Sequence, residues 1–97
     1  FMPFEKVPTA SEYLDSYELM VLKLLDMNVD YLVVSAGFDI IRDDPHGNWA
    51  FGVEILRKLG RRLAETNKPL CIVQEGGYNL STLSNSISEF CFGILNR

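Results

Sequence analysis

Asp39 is the residue of this sequence best placed to do chemistry. It follows the apolar run Tyr31-Leu32-Val33-Val34-Ser35-Ala36 through Gly37-Phe38. That run, rich in β-branched residues, predicts a strand buried on both faces. A carboxylate just past the carboxyl end of such a strand sits where open α/β sheets place their ligands. As a hard oxygen donor on a rigid strand end, Asp39 suits a divalent cation or the orienting of a base. As an ordinary loop carboxylate it would accept backbone amides instead. The plan recurs in Leu70-Cys71-Ile72-Val73-Gln74-Glu75, which leads into Gly76-Gly77-Tyr78-Asn79. Gly76 and Gly77 let the backbone approach a ligand closely or adopt positive φ beside a helix N-terminus, although the pair lacks the spacing of a dinucleotide loop. Tyr78 either donates a hydrogen bond to an oxygen that gains negative charge or packs.

The remaining polar residues of this region say less. His46 is the only histidine and lies in the loop after Asp39, where the plain reading is an exposed side chain. Asp43 and Asp44 precede Pro45, and an acid before a proline in a loop is ordinarily turn chemistry. Glu75 ends an apolar strand, which calls for a basic partner or a polar network. One histidine and no nucleophile elbow leave no Ser-His-Asp, Cys-His or paired-cysteine arrangement. By themselves the residues amount to half of a cation or carbonyl site.

The elements that must position these groups follow from periodicity. Thr9-x-x-Glu12 has capping-box spacing, and Tyr13, Tyr17, Met20, Val21, Leu24 and Leu25 recur at helical intervals, predicting a helix from Ala10 to Met27 after a lead-in loop or arm over Phe1 to Pro8. Asn28-Val29-Asp30 is a short turn into the first strand. Trp49 and Phe51 anchor the polar loop that follows Asp39. Gly52 falls at a helix N-cap, and Val53, Leu56, Leu59, Gly60 and Leu63 form the stripe of a second helix that ends near Thr66-Asn67, because Pro69 forbids continuation. A third helix is capped by Asn79 or Ser81 and carries Leu83, Ile87, Phe90, Cys91 and Ile94 on one face. The order α-β-α-β-α makes the two strands a βαβ unit, parallel and neighbouring. Both strand ends, and hence Asp39 and Tyr78, then share one rim.

Composition narrows the classes. The 97 residues carry a net charge of −4 and 47% hydrophobic content, which fits one globular unit. Arg57, Lys58, Arg61 and Arg62 lie at spacings of one solvated helix face, so no direct nucleic-acid contact is expected. No apolar stretch approaches the roughly 20 residues of a membrane span. Cys71 and Cys91 sit among apolar neighbours and read as reduced core residues, which fits an intracellular, cytoplasmic protein, or a nuclear one in a eukaryote. The chain opens at Phe1 rather than at methionine, the mark of a piece of something longer or of a processed product.

Ser35-Ala36-Gly37-Phe38-Asp39, the Asp44-Pro45 that follows, and Glu75-Gly76-Gly77-Tyr78-Asn79 together resemble the closing third of the histone deacetylase / acetylpolyamine amidohydrolase superfamily, from about Pro8 onward. The resemblance implies a parallel-sheet, three-layer arginase/deacetylase-like α/β fold, of which this chain is the C-terminal part of a single catalytic domain. It also implies zinc-dependent removal of acyl groups from lysine or polyamine nitrogens. Asp39 matches the last of three zinc ligands and Tyr78 the tyrosine that polarises the acyl carbonyl, with Gly76 and Gly77 shaping the pocket floor. Zinc there acts as Lewis acid and activates water, with a histidine as general base. The other two ligands and the base histidines belong to motifs upstream of this chain. His46 stands where relatives carry an aliphatic residue near the pocket mouth and is read as a substrate-selecting position. Gly52 replaces a capping Thr or Ser. On this reading the chain alone is inactive, and the outer edge of the Tyr31–Ala36 strand is free to pair with another copy. The alternative is a non-catalytic binding or assembly domain that keeps the fold. A ureohydrolase of the same fold is disfavoured, because its binuclear site needs several aspartates arranged differently.

Overall fold

The capping box forms as the sequence predicts. Thr9 Oγ1 accepts the Glu12 N–H at 3.1 Å and Glu12 Oε1 accepts the Thr9 N–H at 2.9 Å, satisfying two amides that a first turn leaves without partners. This starts α1, Ala10–Asp26, which closes on Met27. The computed structural model describes residues 6–42, 44, 49 and 51–96, so the lead-in segment is seen only from Lys6. Asn28, at φ 55°, turns the chain out of α1 in the left-handed region that asparagine tolerates. It leads into β1, Leu32–Ala36.

The second helix, α2, spans Glu54–Glu65 and is followed by β2, Leu70–Gln74, and α3, Leu80–Leu95. The N-cap of α2 is Val53, without a side-chain hydrogen bond, rather than Gly52. Asn79 caps α3, its Oδ1 accepting the Ser81 N–H at 3.2 Å. The strands pair in parallel from Leu32↔Leu70 to Ala36↔Gln74. Beyond the named strands the ladder continues, with Glu75 N–H donating to Ala36 O at 2.9 Å and Phe38 N–H to Gly76 O at 3.0 Å. The two rim loops therefore run side by side, as the βαβ reading requires.

One face of β1 is covered, whereas on β2 only Leu70 is partly buried and Cys71 to Gln74 are exposed. Leu32, Ala36, Phe38, Ile41, Phe51, Ile55, Leu56, Leu59, Leu63 and Phe90 form the core, with Val34 and Leu70 packed against it. α2 and α3 approach so closely that a Cβ on Gly60 would strike the Phe90 carbonyl and one on Gly93 the Arg57 carbonyl. The expected burial of β1 on both faces is not found: Val33 is 62% exposed and Ser35 is also exposed. The register puts Cys71 and Val73 beside them on the same open face. Cys71 is thus a free, exposed thiol rather than a core residue, and Cys91, on the outer side of α3, is the same. Both expectations failed because an apolar neighbourhood in sequence does not say which face of an element finds a packing partner. No helix among the described residues is long and apolar enough to cross a membrane.

The basic cluster of α2 is only partly solvated. Arg57 forms a bidentate pair with Glu89 of α3 (2.7 and 3.0 Å) and Arg62 one with Glu18 of α1 (2.6 and 3.1 Å). Lys58 and Arg61 are exposed.

Candidate active site

The carboxylate of Asp39 lies against the glycines of both loops. A Cβ added at Gly76 would stand 2.9 Å from Asp39 Oδ2, and one added at Gly37 would stand 3.1 Å from Oδ1. Any side chain at Gly76 would occupy the space the carboxylate now uses, so the strand-end aspartate and the second loop are built around each other. Gly77 sits at φ +139°, where its missing Cβ would press on Phe38 and on Leu83. This backbone requires glycine, and it aims the chain from β2 toward α3 across the top of Phe38.

Behind Asp39 stands an aromatic cluster. Tyr13 packs against Trp49 and Phe51 at centroid distances of 5.5 and 5.4 Å, so the anchor role expected of Trp49 and Phe51 holds. Burial pushes the Tyr13 phenol up, and the nearby charge of Asp39 adds to the shift. Tyr17, one turn on, donates to Leu59 O at 3.1 Å, and burial raises its phenol as well.

Tyr78 follows the glycines and is 48% exposed. Its backbone is held tightly. Asp44 Oδ2 accepts the Tyr78 N–H at 2.6 Å and the Asn79 N–H at 3.2 Å, and Asp44 itself is 5% exposed. The sequence reading gave Asp44 to turn chemistry, and its contact with the second loop was missed. The available signal was a Gly-Gly-Tyr-Asn turn whose amides needed an acceptor. Glu75, expected to be paired or networked, is exposed. His46 and Asp43 lie outside the described residues, so nothing places them relative to Asp39.

Asp39 could offer a cation one hard oxygen donor, its carboxylate seated where Gly37 and Gly76 have no side chain. Catalytic zinc sites use three protein ligands, and among the described residues no group of three or more His, Cys, Asp or Glu is arranged to hold a metal.

Residues 1–94 match the histone deacetylase domain family. This chain belongs to that family. It is 39% identical over 64 residues to an acetylpolyamine amidohydrolase of Burkholderia pseudomallei, covering 66% of this chain and 19% of that protein. It is 31% identical to histone deacetylase 6 of Caenorhabditis elegans across 99% of this chain and 10% of that protein, and 33% identical to the polyamine deacetylase HDAC10 of Danio rerio across 97% and 14%. The chain thus spans a fifth or less of the length of these curated relatives. A crystal structure of the acetylpolyamine aminohydrolase from Burkholderia pseudomallei superposes with a TM-score of 0.92 at 28% identity, over 98% of this chain and 28% of that one. The fold is the arginase/deacetylase-like α/β fold of this family, as the motifs implied.

Proposed function

We propose that the protein carrying this chain is a zinc-dependent hydrolase that removes acetyl groups from lysine or polyamine nitrogens, and that this chain forms the C-terminal part of its single catalytic domain. The observation that carries the reading is the contact of the Asp39 carboxylate with Gly76, because it brings the aspartate and the Gly-Gly-Tyr loop to one rim. Family membership and the acetylpolyamine and histone deacetylase relatives support the reaction class.

Asp39 is one of the metal's ligands in this reading. When bound, zinc supplies Lewis acidity and a water of lowered pKa. The chain's own residues do the rest of what is assigned here. Gly76 makes room for the Asp39 carboxylate and Gly77 for Phe38 and Leu83, so the Gly-Gly-Tyr loop can close against the aspartate. The Tyr78 hydroxyl donates to the carbonyl oxygen as it gains negative charge, while water adds to the acyl carbon and the C–N bond breaks to release the amine. A donor realised mainly in the transition state changes kcat rather than KM. Tyr78→Phe in the full-length protein therefore lowers kcat by about 10²–10³-fold with KM little changed. Near-wild-type kcat of that variant on both an acetyl-lysine peptide and an acetylated polyamine removes Tyr78 from the role.

A further inference from the structure

We infer that Asp44 is a positioning residue for Tyr78, a role that rests on the deacylase reading above. Its carboxylate comes from the loop that also carries Asp39, and it grips the other loop at two successive amides, those of Tyr78 and Asn79. These amides stand at the mouth of α3, where N–H groups lack intrahelical acceptors and a carboxylate is favoured. A carboxylate this deeply buried is held by its hydrogen-bond donors, and a charged acceptor makes shorter and stronger bonds than a neutral one.

The backbone at and before Asp44 is hydrogen-bonded as well. Its N–H donates to Ile41 O at 3.3 Å, Arg42 N–H donates to Phe51 O at 2.9 Å, and Phe51 N–H donates to Ile40 O at 3.2 Å. Phe51 packs in turn on Trp49 and Tyr13. Asp39 and Asp44 thus flank a stretch of backbone, Ile40 to Arg42, that is hydrogen-bonded to Phe51 and to Asp44. Through it the backbone of Tyr78 is tied to the same frame that carries Asp39, with the Asp39–Gly76 contact two residues upstream as the second tie. The tie matters because the phenol hydroxyl stands at the end of a long, stiff side chain. A small rotation of the Tyr78 peptide is magnified at the oxygen, and misplacement of a reacting group by an ångström can cost about 10²-fold in rate.

The test uses the full-length protein with Asp44→Ala, the conservative Asp44→Asn, Tyr78→Phe and the double variant Asp44→Ala/Tyr78→Phe. Asp44→Ala lowers kcat by about ten- to a hundredfold while KM moves by about twofold or less, and Asp44→Asn recovers part of the loss. On the Tyr78→Phe background Asp44→Ala costs little more, because the hydroxyl it positions is already gone. An equal fold loss on both backgrounds overturns the proposal, since Asp44 would then act on something other than Tyr78. Amide hydrogen exchange of the peptide spanning 76–80 gives a readout independent of activity: the wild type is protected, and exchange speeds up in Asp44→Ala and to a lesser degree in Asp44→Asn. Should Asp44→Ala fail to fold, Asp44→Asn carries both arms. A wild-type protein that releases no acetate sinks the deacylase reading, and the exchange arm still decides whether Asp44 fixes the loop. Unchanged exchange in the folded variants sinks that claim.

Discussion

At Gly77 the backbone adopts φ +139°, a conformation that L side chains reach only with strain. A Cβ there would also stand 2.8 Å from Leu83 Cδ1 and 3.1 Å from Phe38 Cβ. Gly77→Ala is therefore expected to destabilise the full-length protein by about 1–3 kcal/mol, and to lower activity further than the stability loss alone explains, because Tyr78 is the next residue. A thermal melt and kcat measured below the melting range check both parts, and an unchanged melt would show that the loop relaxes without strain. At this scale the sequence was informative where residue type is uncommon. A Gly-Gly pair before a tyrosine, and a carboxylate after a strand, stood out, and the structure brings Asp39 against Gly76. Asp44 did not stand out. Its partners lie 34 and 35 positions away, and an Asp-Pro pair looks the same whether its carboxylate closes its own turn or another loop.

Among the elements, α2 is the hub, joined to α3 by backbone contact at Gly60 and Gly93 and to α1 by the Arg62–Glu18 pair. The hydrogen bond from Arg62 holds Glu18 below the ordinary glutamate value of 4.5. With its folded pKa lowered, Glu18 binds a proton less readily in the folded than in the unfolded state. Its contribution is complete above about pH 4.5 and is lost as the pH falls through the lower folded value. Glu12, lowered by its hydrogen bonds to Thr9, has the same sign. The melting temperature of the wild type should thus fall more steeply between about pH 5 and pH 3 than that of Glu18→Gln. Parallel curves would mean the pair is too well solvated to matter.

Helix positions and strand order were legible because periodicity and caps are local. Thr9 and Glu12 cap α1 as expected, and Asn79 caps α3. Gly52 gave way to Val53 at α2, whose first turn is anchored by the burial of Ile55 and Leu56 rather than by a cap. Face burial was not legible. The run Leu32–Ala36 is apolar enough for two covered faces, yet only the face of Leu32 and Ala36 is covered, and Cys71 and Cys91 lie outside the core for the same non-local reason.

For the whole molecule, the open sheet face and the outer strand edges carry the argument. Among the described residues each strand has one paired neighbour, while Val33, Val73, Leu19 and Leu22 are exposed. The chain spans 28% of the structural relative it superposes on, and in the proposed full-length domain this open face is where further elements would pack. The isolated 97-residue chain is then expected to self-associate through the open edge and, with one ligand position, to bind zinc weakly and release no acetate. Light scattering and equilibrium dialysis test this together, and a monodisperse, zinc-loaded, active chain would refute it.

The central claim is that the protein carrying this chain removes acetyl groups with a metal held in part by Asp39. Its most direct test is acetate release by the full-length protein from an acetyl-lysine peptide and an acetylated polyamine, measured before chelation, after chelation and after zinc is restored. The account predicts release from at least one substrate, its loss on chelation and its return with zinc. Release from neither substrate, or release indifferent to chelation, would contradict it.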